Sequence, residues 1–344
     1  MRILLIGGTG FTGVSTIRYL QEAGHQVTIF HRGKTPAPFD CPEILGDHNQ
    51  MTDFRQEFKR RNFDVVVDFI TGSRPQAERL MDVFRGITGR LVVLSSMDVY
   101  RAMGLLRGTE TGPLQPLPLT EESELRSRSH YTPEELSTLR GILRYFDTEY
   151  EKIDVEKVVL SNPELPGTIL RLPMVYGPGD YIHRFHYVLK RMDDRRPFIL
   201  YADDIAAWRT PRGFADNVGC AIALAATSDK AAERIYNICE EESFTELEWA
   251  KKIAGAVGWK GEFIVLPREK APKHLLYPRR IEQHLVASSA RIRTELGYRE
   301  PISIEEGILR TIPWERENQP PAPLFMPFNY DDEDRAAQAL KASA

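Results

Sequence analysis

Residues 3–13 read Ile-Leu-Leu-Ile-Gly-Gly-Thr-Gly-Phe-Thr-Gly, an apolar run that gives way to spaced glycines and then to a helical-looking stretch from Val14 to Ala23. The run Arg2 to Ile6 is short and β-prone, as a strand buried on both faces should be. Val14, Ile17 and Leu20 then recur at helical spacing, with Gly24 as a stop. Gly8, Gly10 and Gly13 satisfy G-x-G-x-x-G, and Gly7, Gly10 and Gly13 satisfy G-x-x-G-x-x-G. One glycine permits the tight turn, one lets backbone approach a pyrophosphate, and one lets helix pack on strand with its N-terminus toward the phosphate charge. In this strand, turn and helix order the spacing predicts a dinucleotide site carried by Gly7, Thr9, Gly10, Phe11, Thr12 and Gly13.

The pattern continues. Strands are predicted at Gln26 to Phe30, Glu43 to Leu45, Val65 to Phe69, Arg90 to Leu94 and Thr168 to Leu172, with helical stretches between most of them. Such alternation predicts an α/β fold, a doubly wound parallel sheet with right-handed crossovers and ligands at the C-terminal strand ends. At 344 residues and 42% apolar content the chain can bury a large core. We read residues 1–175 as the dinucleotide-binding domain, with 205–240 returning to the sheet, 176–204 and 241–330 as a smaller cap, and 331–344 as a mobile or partner-docked tail. Arg101 to Ser129, polar and proline-bearing, reads as a long loop or lid. One helix is predicted from Pro133 to Leu160, with a break near Gly141, followed by others at Phe185 to Met192, Asn217 to Thr227 and Leu247 to Val257.

A net charge of −4 supplies no electrostatic reason to expect nucleic acid as a partner. Cys41, Cys220 and Cys239 are too few and too far apart for a disulfide framework or a zinc-finger spacing. The first apolar stretch is cut short by Gly7 and Gly8, and no run of roughly 18 apolar residues occurs, so a cytoplasmic protein without a membrane segment is expected. His183 and His186 form an H-x-x-H pair with no third ligand evident, and no metal is expected.

Several motifs in order resemble those of the extended short-chain dehydrogenase/reductase superfamily, in its NAD(P)-dependent epimerase/dehydratase branch. Gly7 to Gly13 resembles the glycine fingerprint, Gly46-Asp47-His48 the adenine-contacting turn, and Ser95-Ser96-Met97-Asp98-Val99-Tyr100 the Ser-Ser-x-x-Val-Tyr strand. Lys152 with Glu156 resembles the Lys-x-x-x-Glu of the active-site helix, and Arg171 to Pro178 resembles Arg-x-x-Asn-Val-Tyr-Gly-Pro. The resemblance implies a Rossmann-type sheet with a mostly C-terminal substrate-binding cap and hydride transfer at a carbinol or carbonyl carbon of a sugar-like, including nucleotide-sugar, substrate. It implies cofactor contacts from Asp47, His48, Lys152 and Pro173, a catalytic hydroxyl at Ser96, substrate contacts from Met174, Arg209 and Arg212, and a homodimer. Met174 stands where many sugar-nucleotide members carry Asn.

The chain departs from that family at one catalytic position. A Tyr four residues before the Lys would share its helix face, but here Thr148 holds that place, and none of the thirteen tyrosines has a Lys four residues later. Thr148 offers a hydrogen bond to substrate but no useful acidity. Tyr150 lies two residues before Lys152, about 200° around an ideal helix. It is the expected proton carrier if the helix starts irregularly, with His130, Asp147 and Glu149 behind it. At the end of the second strand an NAD-preferring protein carries Asp or Glu; His31 and Arg32 stand here, and a guanidinium there favours NADP over NAD. The leading expectation is an NADP-dependent oxidoreductase or epimerase. The alternative is a relative that binds the dinucleotide as a sensor or interaction protein without redox turnover.

Overall fold

Alternate residues of the first strand face opposite sides, and both sides are apolar, so the strand is stable only with layers on each face. A computed structural model, which describes residues 1–143, 149–277, 280–321 and 327–343, shows this arrangement. Its strands are β1 (Arg2–Ile6), β2 (Gln26–His31), β3 (Glu43–Leu45), β4 (Val65–Asp68), β5 (Arg90–Ser96), β6 (Gly167–Leu172), β7 (Met174–Tyr176), β8 (Phe198–Ala202), β9 (Arg212–Phe214), β10 (Ile235–Asn237) and β11 (Glu262–Leu266). Its α-helices are α1 (Thr12–Glu22), α2 (Arg55–Arg61), α3 (Arg74–Phe84), α4 (Arg101–Arg107), α5 (Pro133–Leu143), α6 (Lys152–Leu160), α7 (His186–Asp193), α8 (Asp203–Ala207), α9 (Ala215–Thr227), α10 (Glu246–Val257), α11 (Ala290–Leu296), α12 (Ile304–Glu317) and α13 (Tyr330–Ser343).

A seven-stranded parallel sheet, ordered β10-β6-β5-β4-β1-β2-β3, forms the centre. Ile3 and Leu5 of β1 join a core with Ile17 of α1 and Val218 and Ile222 of α9, while Leu4 and Ile6 join Phe58, Leu80, Phe84 and Val155 on the other face. This is the Rossmann-type α/β fold. Gly219 lets α9 lie directly on α1, because a Cβ there would stand 2.3 Å from Ser15 Oγ. The cap is held by two small parallel sheets, β7 with β9 and β8 with β11, around Tyr176, Phe185, Phe214 and Trp249.

Motif residues at the sheet end form a buried network. Glu156 accepts from Arg171 Nη2 at 2.7 Å and from Ser95 Oγ at 2.6 Å, while Arg171 Nη1 donates to Tyr100 Oη at 3.0 Å. Tyr100 donates on to Asn237 Oδ1 at 2.6 Å, and burial raises its hydroxyl to about 12 despite Arg171. These residues lock β5, β6, β10 and α6 together.

Three expectations change. The helix predicted from Pro133 to Leu160 is two helices, α5 and α6, with Tyr150 and Glu151 non-helical between them. Glu151 caps α6 by accepting from Ile153 N at 3.0 Å and pairs with both Nη atoms of Arg126, which requires an extended backbone at that point. Arg101 to Ser129, expected as a long loop or lid, opens with α4 and continues as a long loop whose later part is anchored by buried Leu119, Glu121 and Arg126. The stretch expected as a tail forms α13 and docks on the cap of its own chain. Glu333 there is fully buried against Arg191 at 2.5 Å, and Asp334 pairs with Arg196.

Candidate active site

The loops after β1, β2, β5 and β6 open into a cavity of about 1130 Å³ that extends into the cap. At one end lies the glycine turn. Gly7 and Gly8 hold φ of +82° and +84°, which only glycine adopts without strain, and Gly10 leaves open space where a Cβ would stand. A Cβ on Gly13 would meet Gly8 Cα at 2.3 Å, so α1 reaches the turn only because that position is bare. Gly7, Thr9, Gly10, Phe11 and Thr12 line the cavity; Gly13 acts behind them. This exposed backbone at a helix N-terminus fits the pyrophosphate of a dinucleotide.

Farther along, His31, Arg32, Asp47 and His48 line the same end. His31 Nε2 lies 2.5 Å from Glu43 Oε2, so its ring is held by β3. Asp47 accepts from Asn49 N at 2.8 Å and turns the chain there. His48 Nε2 contacts Thr71 Oγ1 at 3.2 Å and Asp68 Oδ2 at 3.4 Å. Burial would raise the Asp68 carboxyl, but His48 and the backbone N–H groups of Thr71 and Ile70 hold it below its ordinary value. Lys34, which the glycine and strand-end motifs do not flag, lines this end beside Arg32.

At the middle of the cavity Ser96, Asp98, His130, Tyr131, Tyr150 and Lys152 come together. Ser96 Oγ accepts the Asp98 N–H at 3.2 Å and caps the turn that follows β5. Lys152 Nζ donates to Thr71 O at 2.5 Å and Leu94 O at 2.8 Å, and burial lowers it to about 8 although Asp68, Asp98 and Glu156 favour its charge. Tyr150 precedes α6, so helical phase does not turn it from the site: its ring centroid is 5.7 Å from Lys152 Nζ and 5.6 Å from the ring of Tyr131. Thr148 and Asp147 lie outside the described residues, and Glu149 is exposed.

In the cap, Pro173, Met174, Tyr201, Trp208, Arg212 and Trp249 carry the cavity wall onward. Arg212 donates to Glu246 Oε1 at 2.6 Å, with its guanidinium 4.6 Å from the Trp249 ring. Arg209, expected on the substrate, does not line the cavity: it is exposed, and its backbone N–H donates to His284 Nδ1 at 3.0 Å. The turn that buries Trp208 directs the next side chain outward. His183 bonds Glu315 at 2.9 Å and stacks on Trp314 rather than pairing with His186.

A Rossmann-type sheet thus brings a glycine cradle, a strand-end Ser and a buried Lys onto one cavity. The model of the NAD dependent epimerase/dehydratase family matches residues 3–239, and the chain belongs to that family. It is 24% identical over 325 residues to chloroplast stem-loop binding protein of 41 kDa b of Arabidopsis thaliana, covering 89% of this chain and 77% of that one. It is 23% identical over 284 residues to 2'-dehydrokanamycin reductase of Streptomyces kanamyceticus, covering 80% and 72%. Among solved structures, DesIV, a dTDP-glucose 4,6-dehydratase from Streptomyces venezuelae with NAD and TYD bound, superposes with a TM-score of 0.65 at 20% identity, covering 93% of this chain and 98% of that one. Among the described residues no helix is long and apolar enough to cross a membrane.

Proposed function

We propose that the protein is an NADP-dependent oxidoreductase or epimerase acting at a carbinol or carbonyl carbon of a sugar-like substrate. The observation that carries this reading is that Ser96 and Lys152 line one continuous cavity with the glycine cradle. When bound, the dinucleotide supplies a nicotinamide that accepts or returns a hydride. Lys152 has three N–H groups and gives two to backbone carbonyls, leaving one for a ribose hydroxyl. Ser96 accepts from backbone and its hydroxyl bonds the Asp98 carboxylate, so it would reach the reacting oxygen by exchanging that partner. The cap holds the rest of the substrate against Met174, Arg212 and its aromatic wall. The names of the Streptomyces reductase and dehydratase support sugar chemistry here.

The choice of NADP rests on Arg32 and Lys34 at the end where an acidic residue would otherwise stand. Fluorescence titration with NADPH and NADH in parallel tests it. Arg32→Ala is expected to weaken NADPH binding by about tenfold, near the worth of one charge-assisted contact, and to spare NADH. Equal losses for both would remove Arg32 from the assignment, and binding of neither would end the oxidoreductase reading. The second reading, a dinucleotide-binding sensor or interaction protein without turnover, is favoured by Thr148 in place of the family Tyr and by the likeness to the stem-loop binding protein. Tight dinucleotide binding with no turnover across a panel of keto-sugars would establish it.

A further inference from the structure

Asp98 occupies one of the two variable positions of the Ser-Ser-x-x-Val-Tyr strand end, and the turn capped by Ser96 brings it to the cavity wall. It is 7% exposed, and its Oδ1 has no hydrogen-bond partner among the described residues. Arg126 acts on its carboxylate only through space, because it donates to the Asp98 backbone carbonyl at 2.9 Å and spends its Nη atoms on Glu151 and Arg128 O. A buried carboxylate kept from its neighbouring guanidinium costs stability, and such groups cluster at reactive sites. The groups facing it are Ser96 from β5, His130 Nε2 at 3.9 Å, Tyr131 Oη at 3.4 Å, Arg126, and Lys152 from α6.

We propose that Asp98 and Tyr131 together form the proton relay of this site, with Tyr131 touching the reacting oxygen and Asp98 behind it as the base. The inference rests on the oxidoreductase reading. In the oxidative direction the substrate O–H bond breaks and its proton passes to Tyr131 Oη, while the Tyr131 proton passes to Asp98 Oδ2. The carbinol C–H pair leaves as hydride to the oxidised nicotinamide dinucleotide, and the C=O bond forms. The products are ketone, reduced dinucleotide and protonated Asp98, and reduction runs the same transfers backward. Tyr131 stays neutral throughout. That suits its surroundings, because burial and the Asp98 charge hold its hydroxyl well above the ordinary tyrosine range, so a tyrosinate is unavailable. Burial also raises the Asp98 carboxyl, partly offset by Arg126 and Lys152, and makes it a better base. A lysine one helical turn after the tyrosine is then unnecessary.

The test has two readouts. In the dinucleotide-free protein carrying carboxyl-13C aspartate, the resonance that Asp98→Asn removes is expected to titrate above the usual aspartate range, to move higher still in Tyr131→Phe, and to hold its place in Tyr150→Phe. No response to Tyr131→Phe would overturn the couple whatever the activity. With NADPH and either D-fructose or 4-nitrobenzaldehyde as probe, Asp98→Asn and Tyr131→Phe are expected to lower kcat about a hundredfold or more while NADPH affinity stays within twofold. A larger loss in Tyr150→Phe than in Tyr131→Phe would overturn the relay and pass the role to Tyr150. A wild-type protein that binds NADPH and reduces neither probe nor any keto-sugar of the panel overturns the oxidoreductase reading itself, a result distinct from loss of the relay.

Discussion

The two ends of the cavity are built by opposite means. The cradle end is backbone: Gly7, Gly8, Gly10 and Gly13 matter for what they lack, and all lie within one strand, turn and helix. The cap end is side chain: Trp208, Arg212, Glu246, Trp249 and Phe328 arrive from distant segments and matter for what they carry. A site made of backbone suits a cofactor shared by a whole family. A site made of scattered side chains can change its ligand without disturbing the first.

If this division holds, lesions at the two ends should separate. Gly13→Ala places a Cβ against Gly8 backbone that cannot yield, so dinucleotide affinity should fall by about a hundredfold, roughly 3 kcal/mol, in a fluorescence titration. Affinity within threefold of wild type would mean that the cradle tolerates a shift of α1. Arg212→Met leaves Glu246 without its partner in a largely buried place, and should lower unfolding stability by about 2–4 kcal/mol while dinucleotide affinity stays within twofold. A matching loss of dinucleotide affinity would break the separation.

The smallest effect concerns Glu240, on the sheet side of the cap. Burial raises its carboxyl to about 7, although it accepts from Tyr176 Oη at 2.9 Å and Phe214 N at 3.1 Å. A carboxyl raised on folding binds its proton more tightly in the folded chain, so its contribution to stability falls as pH rises from the ordinary value of 4.5 through about 7. Glu240→Gln should therefore gain roughly 2–2.5 kcal/mol on wild type between pH 5 and pH 8 in denaturant melts. A difference that does not change with pH would show that Glu240 is already ionised in the folded protein.

The same contrast explains what could be read in advance. The strands of the main sheet and the glycine turn were legible because period and spacing are local properties. The single helix over Pro133 to Leu160 was not, since its end is decided by Arg126 gripping Glu151 from 25 residues away. The anchoring of the stretch after Tyr100 depends likewise on distant contacts, such as Leu119 N with Val286 O. Ser96 and Lys152 were visible as motif positions. Asp98 and Tyr131 were not paired by any motif, because 33 residues separate two groups that meet only once the stretch folds back over β5. Arg209 and Arg212 were equal candidates until the short strand β9 turned one inward and left the other in solvent.

The docking of α13 has a consequence for synthesis. Residues 1–240 contain every strand of the main sheet, yet the core between that sheet, α1 and α9 also takes Ile292 and Tyr298, and Asn217 of α9 bonds Ile302. The cap likewise gains the buried counter-charge of Arg191 only once Glu333, 142 residues later, has been made. Sheet and cap are therefore both completed by segments made after the last strand of the main sheet.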